Sequence, residues 1–395
     1  MKTLTLIKEP LEKMKNIQQT LLNFLDDETN DEINFQNLIK YFDEQKISEN
    51  EILFNNVLTM ISKISYNHHR NQYFIIKIEQ ILKSYEGKMK QYFTNFYIFN
   101  IFKRNKRILL YLFKENILTP DEEIFAKIKK GKYARMNYLQ YFYPEFKSFC
   151  DIQLINQIEE ENPELINLDL ISFDEKRKIG ENDGYIYHLI RNDLIDEFIV
   201  YFNKTNIPLD MIVQPSIFET NPYLMEKLNI TLIDYSIFFG SIQIFRFLRL
   251  NKIECNHYSW FFVIHSNNSE LIHILEENIE LIFEDLVINE SIKCHHNDIM
   301  NYILDNHVEK EEIIKENHLL LIFQYHNFLN INENLMNDID ESKLLIYLCK
   351  YSCWYIVDYL LKNSSIDVNV RHIYCLYLLN KIHFLEISYH FKFKR

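Results

Sequence analysis

Cys294-His295-His296 is the densest run of metal-ligating side chains in the sequence, and His257 and His273 lie in the same stretch. Zinc takes thiolate and imidazole ligands in a tetrahedron, so a convergence of these groups would hold it. A turn between two helices uses the same residue types to cap and connect, and that reading is preferred here. Cys349 and Cys353 stand four residues apart on one helical face, without a second pair at zinc-like spacing. They read as buried thiols. Neither a metal site nor a cofactor is expected. His68, His69 and Arg70 offer phosphate-binding groups, but they sit on a predicted turn where solvation suffices.

Catalytic patterns are missing. There is no Gly-x-Ser-x-Gly elbow, no Gly-rich phosphate loop, no Walker motif and no dinucleotide fingerprint. The acidic pairs Asp26–Asp27 and Glu276–Glu277 fall on polar helix faces. No catalytic residue is nominated and the chain is read as not an enzyme. The alternative is an enzyme or nucleotide-binding protein with an unrecognised site in the N-terminal half.

Charge bears on partners. The formal net charge is −13, which disfavours nucleic acid and anionic membrane surfaces. Lys103, Arg104, Lys106 and Arg107 interleave with Phe99, Phe102 and Leu109, and Lys127 to Arg135 adds more cations. A nucleic-acid patch has this form, but so does an amphipathic hairpin with a charged turn. The cysteines Cys150, Cys255, Cys294, Cys349, Cys353 and Cys375 are scattered through apolar helical contexts. Reduced thiols in a cytoplasmic protein are the expectation. No apolar run reaches the length of a membrane span, and the N-terminal run is too short for a signal segment.

The elements that must position these residues are helices. Only 5 glycines and 7 prolines occur against 47% hydrophobic residues, a shortage that argues against an all-β fold. Thr231–Leu248 reads as a helical hairpin, with Leu232, Ile233, Ser236 and Ile237 before the turn at Gly240–Ser241 and Ile244, Phe245, Phe247 and Leu248 after it. Taking Ile244 as a register mark, Leu271, Ile299, Phe328, Ile356 and Phe384 follow at steps of 27, 28, 29, 28 and 28 residues. Polar turns precede them at Asn267–Asn268, His295–His296, Gln324–Tyr325, Ser352–Cys353 and Asn380–Lys381. A sustained period of this size signals stacked repeats, each burying a face that it cannot bury alone. Earlier hairpins are predicted around 52–85 and 91–115, with Leu109 in the place of Ile244, and Thr119–Pro120 reads as a helix start.

Thr231, Ile233, Ser236, Gly240, Ile244 and Leu248 fall on the ankyrin motif, so the stretch resembles the ankyrin repeat. Ile356, Val357, Leu360, Leu361 and the closing Asp367-Val368-Asn369 extend the likeness. Leu232 replaces the motif's proline and Asp234 its histidine, and the step of about 28 is shorter than the usual 33. A wider resemblance rests on NHHRNQYF (67–74), IFNIFKRNKRILLYLF (98–113), FDEKRKIGEND (173–183), PSIFETN (215–221) and ESIKCHHNDI (290–299). These strings look like a large, protist-expanded family containing an ankyrin-like domain of unknown function. The resemblance implies architecture and no assigned activity.

The resulting expectation is an all-α helical-hairpin solenoid with ankyrin-like repeats and short inter-repeat loops. Residues 1–165 would form a diverged N-terminal hairpin region and 185–395 the repeat region, across an acidic junction at 164–184. A protein–protein interaction scaffold or adaptor is the expected function, since such stacks serve mainly to hold partners. The first helices and the turns feeding them would bind, with Tyr258, Trp260, His295 and His296 as the nominated contacts and the protein partner unidentified.

Overall fold

The computed structural model describes residues 2–68, 71–166, 169–226, 229–307, 316–331, 336, 339 and 341–363. Among these the regular structure is helical, with one isolated antiparallel bridge between Ile212 and Thr231 and no strand. The all-α expectation therefore holds for the described residues. None of their helices is long and apolar enough to cross a membrane.

Contacts gather the chain into two compact units. One draws on the described residues of 1–27, 31–60 and 308–395. Its helix Lys2–Asp26 packs on Trp354–Asn363 and on the 3-10 turn Phe328–Asn330. Gln18 is buried and exchanges both ends of its amide, donating to Asn327 Oδ1 at 3.0 Å and accepting from Leu329 N at 3.3 Å. Asn56 does the same for Ser352 O, at 2.8 Å, and Tyr355 N, at 2.9 Å.

The other unit holds 28–30 and 61–307. Its later half is four hairpins in succession. They are Tyr185–Arg191 with Ile195–Thr205, Leu232–Phe238 with Ile242–Leu250, Ser259–Ser266 with Ser269–Asn278, and Glu284–Cys294 with Asn297–Asn306. Each first helix packs on the first helix of the next hairpin. Ser236 is fully buried and donates to the carbonyl of Ile233 within its own helix at 2.7 Å.

The same turn joins the two helices each time. Asp193, Gly240, Asn267 and His295 all take positive φ, between 49° and 73°. The next residue caps the second helix, and at Leu194, Ser241 and His296 its N–H returns to the carbonyl five residues earlier. This satisfies the last carbonyls of the first helix. In the first unit His326 and Ser352 repeat the conformation, at φ 56° and 62°.

Register marks Ile244, Leu271, Ile299 and Ile356 are all buried and each is the third residue of its second helix. The copy around Phe328 differs. Its turn falls at His326–Asn327, not Gln324–Tyr325, and Phe328, though buried, opens a 3-10 turn directly after the cap. Phe384 and 367–369 lie outside the described residues. In helix Lys106–Lys114 the third residue is Ile108, so Ile108 and not Leu109 takes the place of Ile244. Helix Glu122–Ile128 is capped by Asp121, whose carboxylate accepts from Ile124 N at 2.8 Å, two residues beyond the expected Thr119.

Candidate functional site

The first helices of the second and third hairpins are closed over, while the turns that feed them stay partly exposed. Every side chain of Leu232–Phe238 is buried, as is all of Ser259–Ser266 except half-buried Phe261. One segment of the same unit covers these first helices, and a second packs on the turn of the fourth hairpin. Tyr223, from helix Pro222–Glu226, lays its ring 4.3 Å from His265 and also meets Phe238 and Phe262 at 6.0 and 5.5 Å. His68, just past helix Glu51–Asn67, places Nδ1 2.7 Å from Cys294 O and its ring edge-on to His296 at 4.9 Å.

Trp260 is 1% exposed, with its indole N–H toward Ile279 O at 3.4 Å. His295 supplies the positive-φ residue of its turn, and His296 reaches Ile264 O through Nδ1 at 2.7 Å; each is 4% exposed. These three residues connect hairpins and present no surface to a partner in this arrangement. Tyr258 is different: it is 61% exposed.

The remaining strings of the sequence converge in one buried polar network. Lys106 is fully buried beneath the 215–221 segment and donates to Glu219 O at 3.1 Å, with its ammonium 5.4 and 5.1 Å from the rings of Tyr138 and Tyr141. Burial pushes its pKa down to about 7, against a weaker upward pull from Glu219. The Glu219 carboxylate accepts from Thr220 N and Asn221 N at 2.9 and 2.7 Å. Arg177 is fully buried in helix Leu170–Ile179 and holds Glu145 bidentately at 2.7 and 3.0 Å, Tyr141 O at 3.0 Å, and Asp174. Gly180, at φ 66°, ends that helix, and a Cβ there would lie 2.2 Å from Arg107 Cδ. The 164–184 stretch, expected as an acidic junction, thus contains a helix anchored by a buried guanidinium. The network is closed by packing and reads as structure. The outlying cations do approach one another: burial and then the charges of Lys127, Arg104 and Lys132 lower the pKa of Lys103 to about 8.

Metal-ligating groups meet at a place the sequence did not mark. His265, Glu290 and Cys294, all buried, bring their ligand atoms within 4.8 Å of one another. His265 Nε2 lies 2.7 Å from Glu290 Oε1, and Cys294 Sγ lies 3.6 and 3.8 Å from the two ring nitrogens. Cys294 belonged to the sequence motif, but its companions are not His295, His296, His257 or His273. The four-residue step from Glu290 to Cys294 on one helix was the available signal. Burial, followed by the Glu290 charge, raises the Cys294 thiol pKa, so a thiolate nucleophile is not favoured. For Glu290, burial opposes ionisation, but the hydrogen bond and charge of His265, with Lys293, outweigh it and bring the carboxyl to about 2.

On the surface, Tyr258 stacks on Phe283 at 5.9 Å and Phe261 at 6.3 Å. Ile282 and Leu286, flanking Phe283 along the chain, are 49% and 50% exposed. Two successive hairpins thus contribute to one aromatic cluster. Glu254 and Glu280 in the same two loops and Asp285 in the first turn of the next helix are exposed, with exposed Lys252 among them and Glu254 3.6 Å from Arg249. Compared with known proteins, the chain matches no family model, no curated protein and no solved structure.

Proposed function

We propose that this chain is a non-enzymatic protein-binding module built from ankyrin-like stacked hairpins, with its partner seated on the loops that lead into the third and fourth first helices. The observation that carries the reading is the Tyr258–Phe261–Phe283 cluster, shared between two hairpins and bordered along the chain by exposed Ile282 and Leu286. An aromatic centre with a polar, charged rim is how protein interfaces concentrate their energy. Because exposed carboxylates outnumber exposed cations in and beside these two loops, the fitting partner presents an apolar side chain flanked by lysine or arginine. The side-by-side packing of successive first helices supports the ankyrin-like part of the reading. A photo-reactive amino acid placed at position 258 in the native cell should crosslink one discrete protein, while the same probe at exposed Asp298 should not. The double variant Tyr258→Ala, Leu286→Ser should lose that partner without a change in thermal unfolding. Equal capture by the double variant and the wild type would refute the site.

A further inference from the structure

We infer that His265, Glu290 and Cys294 supply three ligands of a zinc site that clamps the third and fourth hairpins together, the fourth position being left to a water. Two neighbouring helices supply it. His265 stands one residue before the end of Ser259–Ser266, and Glu290 and Cys294 share one face of Glu284–Cys294. These helices pack directly on each other, so a bound ion would tie two repeats.

The donor set suits zinc. Imidazole, thiolate and carboxylate are its ordinary protein ligands, at about 2.0–2.3 Å, which places ligand atoms roughly 3.3–3.7 Å apart around a tetrahedron. Cys294 Sγ lies 3.6 and 3.8 Å from the two nitrogens of the one ring, which sets it beside the imidazole and off the line of either lone pair, so the His265 ring must turn for one nitrogen and the thiolate to face the same ion. The 2.7 Å contact between His265 and Glu290 would open slightly as the ion enters between them. A thiolate and a carboxylate together balance the charge of a divalent ion, which matters at a place where the three side chains are 5%, 8% and 0% exposed. Binding releases the thiol proton to solvent, so uptake weakens in acid.

An outer shell is in place. Lys293 donates to both carboxylate oxygens of Glu290, Oε2 at 3.0 Å and Oε1 at 3.2 Å, fixing the orientation of the group. Tyr223 and Phe238 enclose the His265 ring, at 4.3 and 5.0 Å between centroids. Burial also separates this reading from a thiol–imidazole–carboxylate catalytic triad, which needs an approach for substrate.

The test is the metal content of the full-length chain. Protein expressed with zinc and dialysed should retain close to one zinc per chain. Cys294→Ser and Glu290→Gln should each weaken zinc binding about tenfold or more. Both are near-isosteric changes, and circular dichroism checks that each variant stays folded. Cobalt substituted into wild type should give a thiolate-to-cobalt charge-transfer band, absent in Cys294→Ser; this readout depends on Cys294 coordination and not on stability. Wild type with less than a tenth of an equivalent of zinc and no cobalt band overturns the site. Unchanged zinc in the two variants, or stoichiometric iron or copper in place of zinc, overturns it as well.

Discussion

At the scale of single residues, conformation and burial set the expected effects. Gly240 has φ 73°, and a Cβ there would meet nothing closer than 3.5 Å. Strain, not collision, is therefore what a substitution adds. Gly240→Val should cost about 1–3 kcal/mol in urea unfolding, while Gly240→Asn should cost much less, because Asn267 already occupies the corresponding turn at φ 49°. Trp260 is enclosed, so Trp260→Ala should destabilise by about 3–5 kcal/mol and act on binding only through unfolding. Lys106 gives a pH dependence. Its folded pKa is about 7 and its unfolded value 10.5, so between these pH values the unfolded chain holds a proton that the folded chain has released. Stability should rise with pH across that window, by up to about 1.4 kcal/mol per unit, and level off below it. Urea unfolding of Lys106→Met at several pH values should lack this rise relative to wild type.

At the scale of elements, the repeating unit is the turn together with the cap that follows it. Asp193, Gly240, Asn267 and His295 share a conformation but not a side chain, because the turn needs only tolerance of positive φ and a partner for the next N–H. Asn268 caps its helix by accepting from Leu271 N at 3.2 Å. Asn268→Ala should cost about 1 kcal/mol, whereas Ile244→Ala, which empties a fully buried position, should cost about 2–5 kcal/mol. Equal losses in calorimetry would show that the caps and the buried stripe contribute alike.

At the scale of the whole molecule, one compact unit joins the described residues of 1–27 and 31–60 to those between 316 and 363. Among its polar ties are paired side-chain amide bonds. Asn56 satisfies Ser352 O and caps the following helix through Tyr355 N. Asn56→Ala leaves both groups without that partner and should cost about 1–3 kcal/mol. Faster hydrogen exchange should appear in 353–363, a segment some 300 positions away. Unchanged exchange there would count against this pairing.

The sequence by itself determined the helices, the hairpins and most of their register. Those properties are local: apolar spacing fixes a helix face, and a short polar step fixes a turn, as Ile244, Leu271, Ile299 and Ile356 show. It placed Phe328 and Leu109 imperfectly, since a 3-10 turn and a one-residue shift of a cap leave the apolar pattern almost unchanged. Tertiary structure alone decided what meets what. Tyr223 covers first helices that periodicity would leave open, His68 packs on the turn of the fourth hairpin, and Trp260 seals while Tyr258 faces solvent, though only one residue separates them. His265 reaches Cys294 across 29 positions, and Gln18 reaches Asn327 across 309. Such partners are chosen by packing between elements, and a one-dimensional period carries no record of which faces will touch.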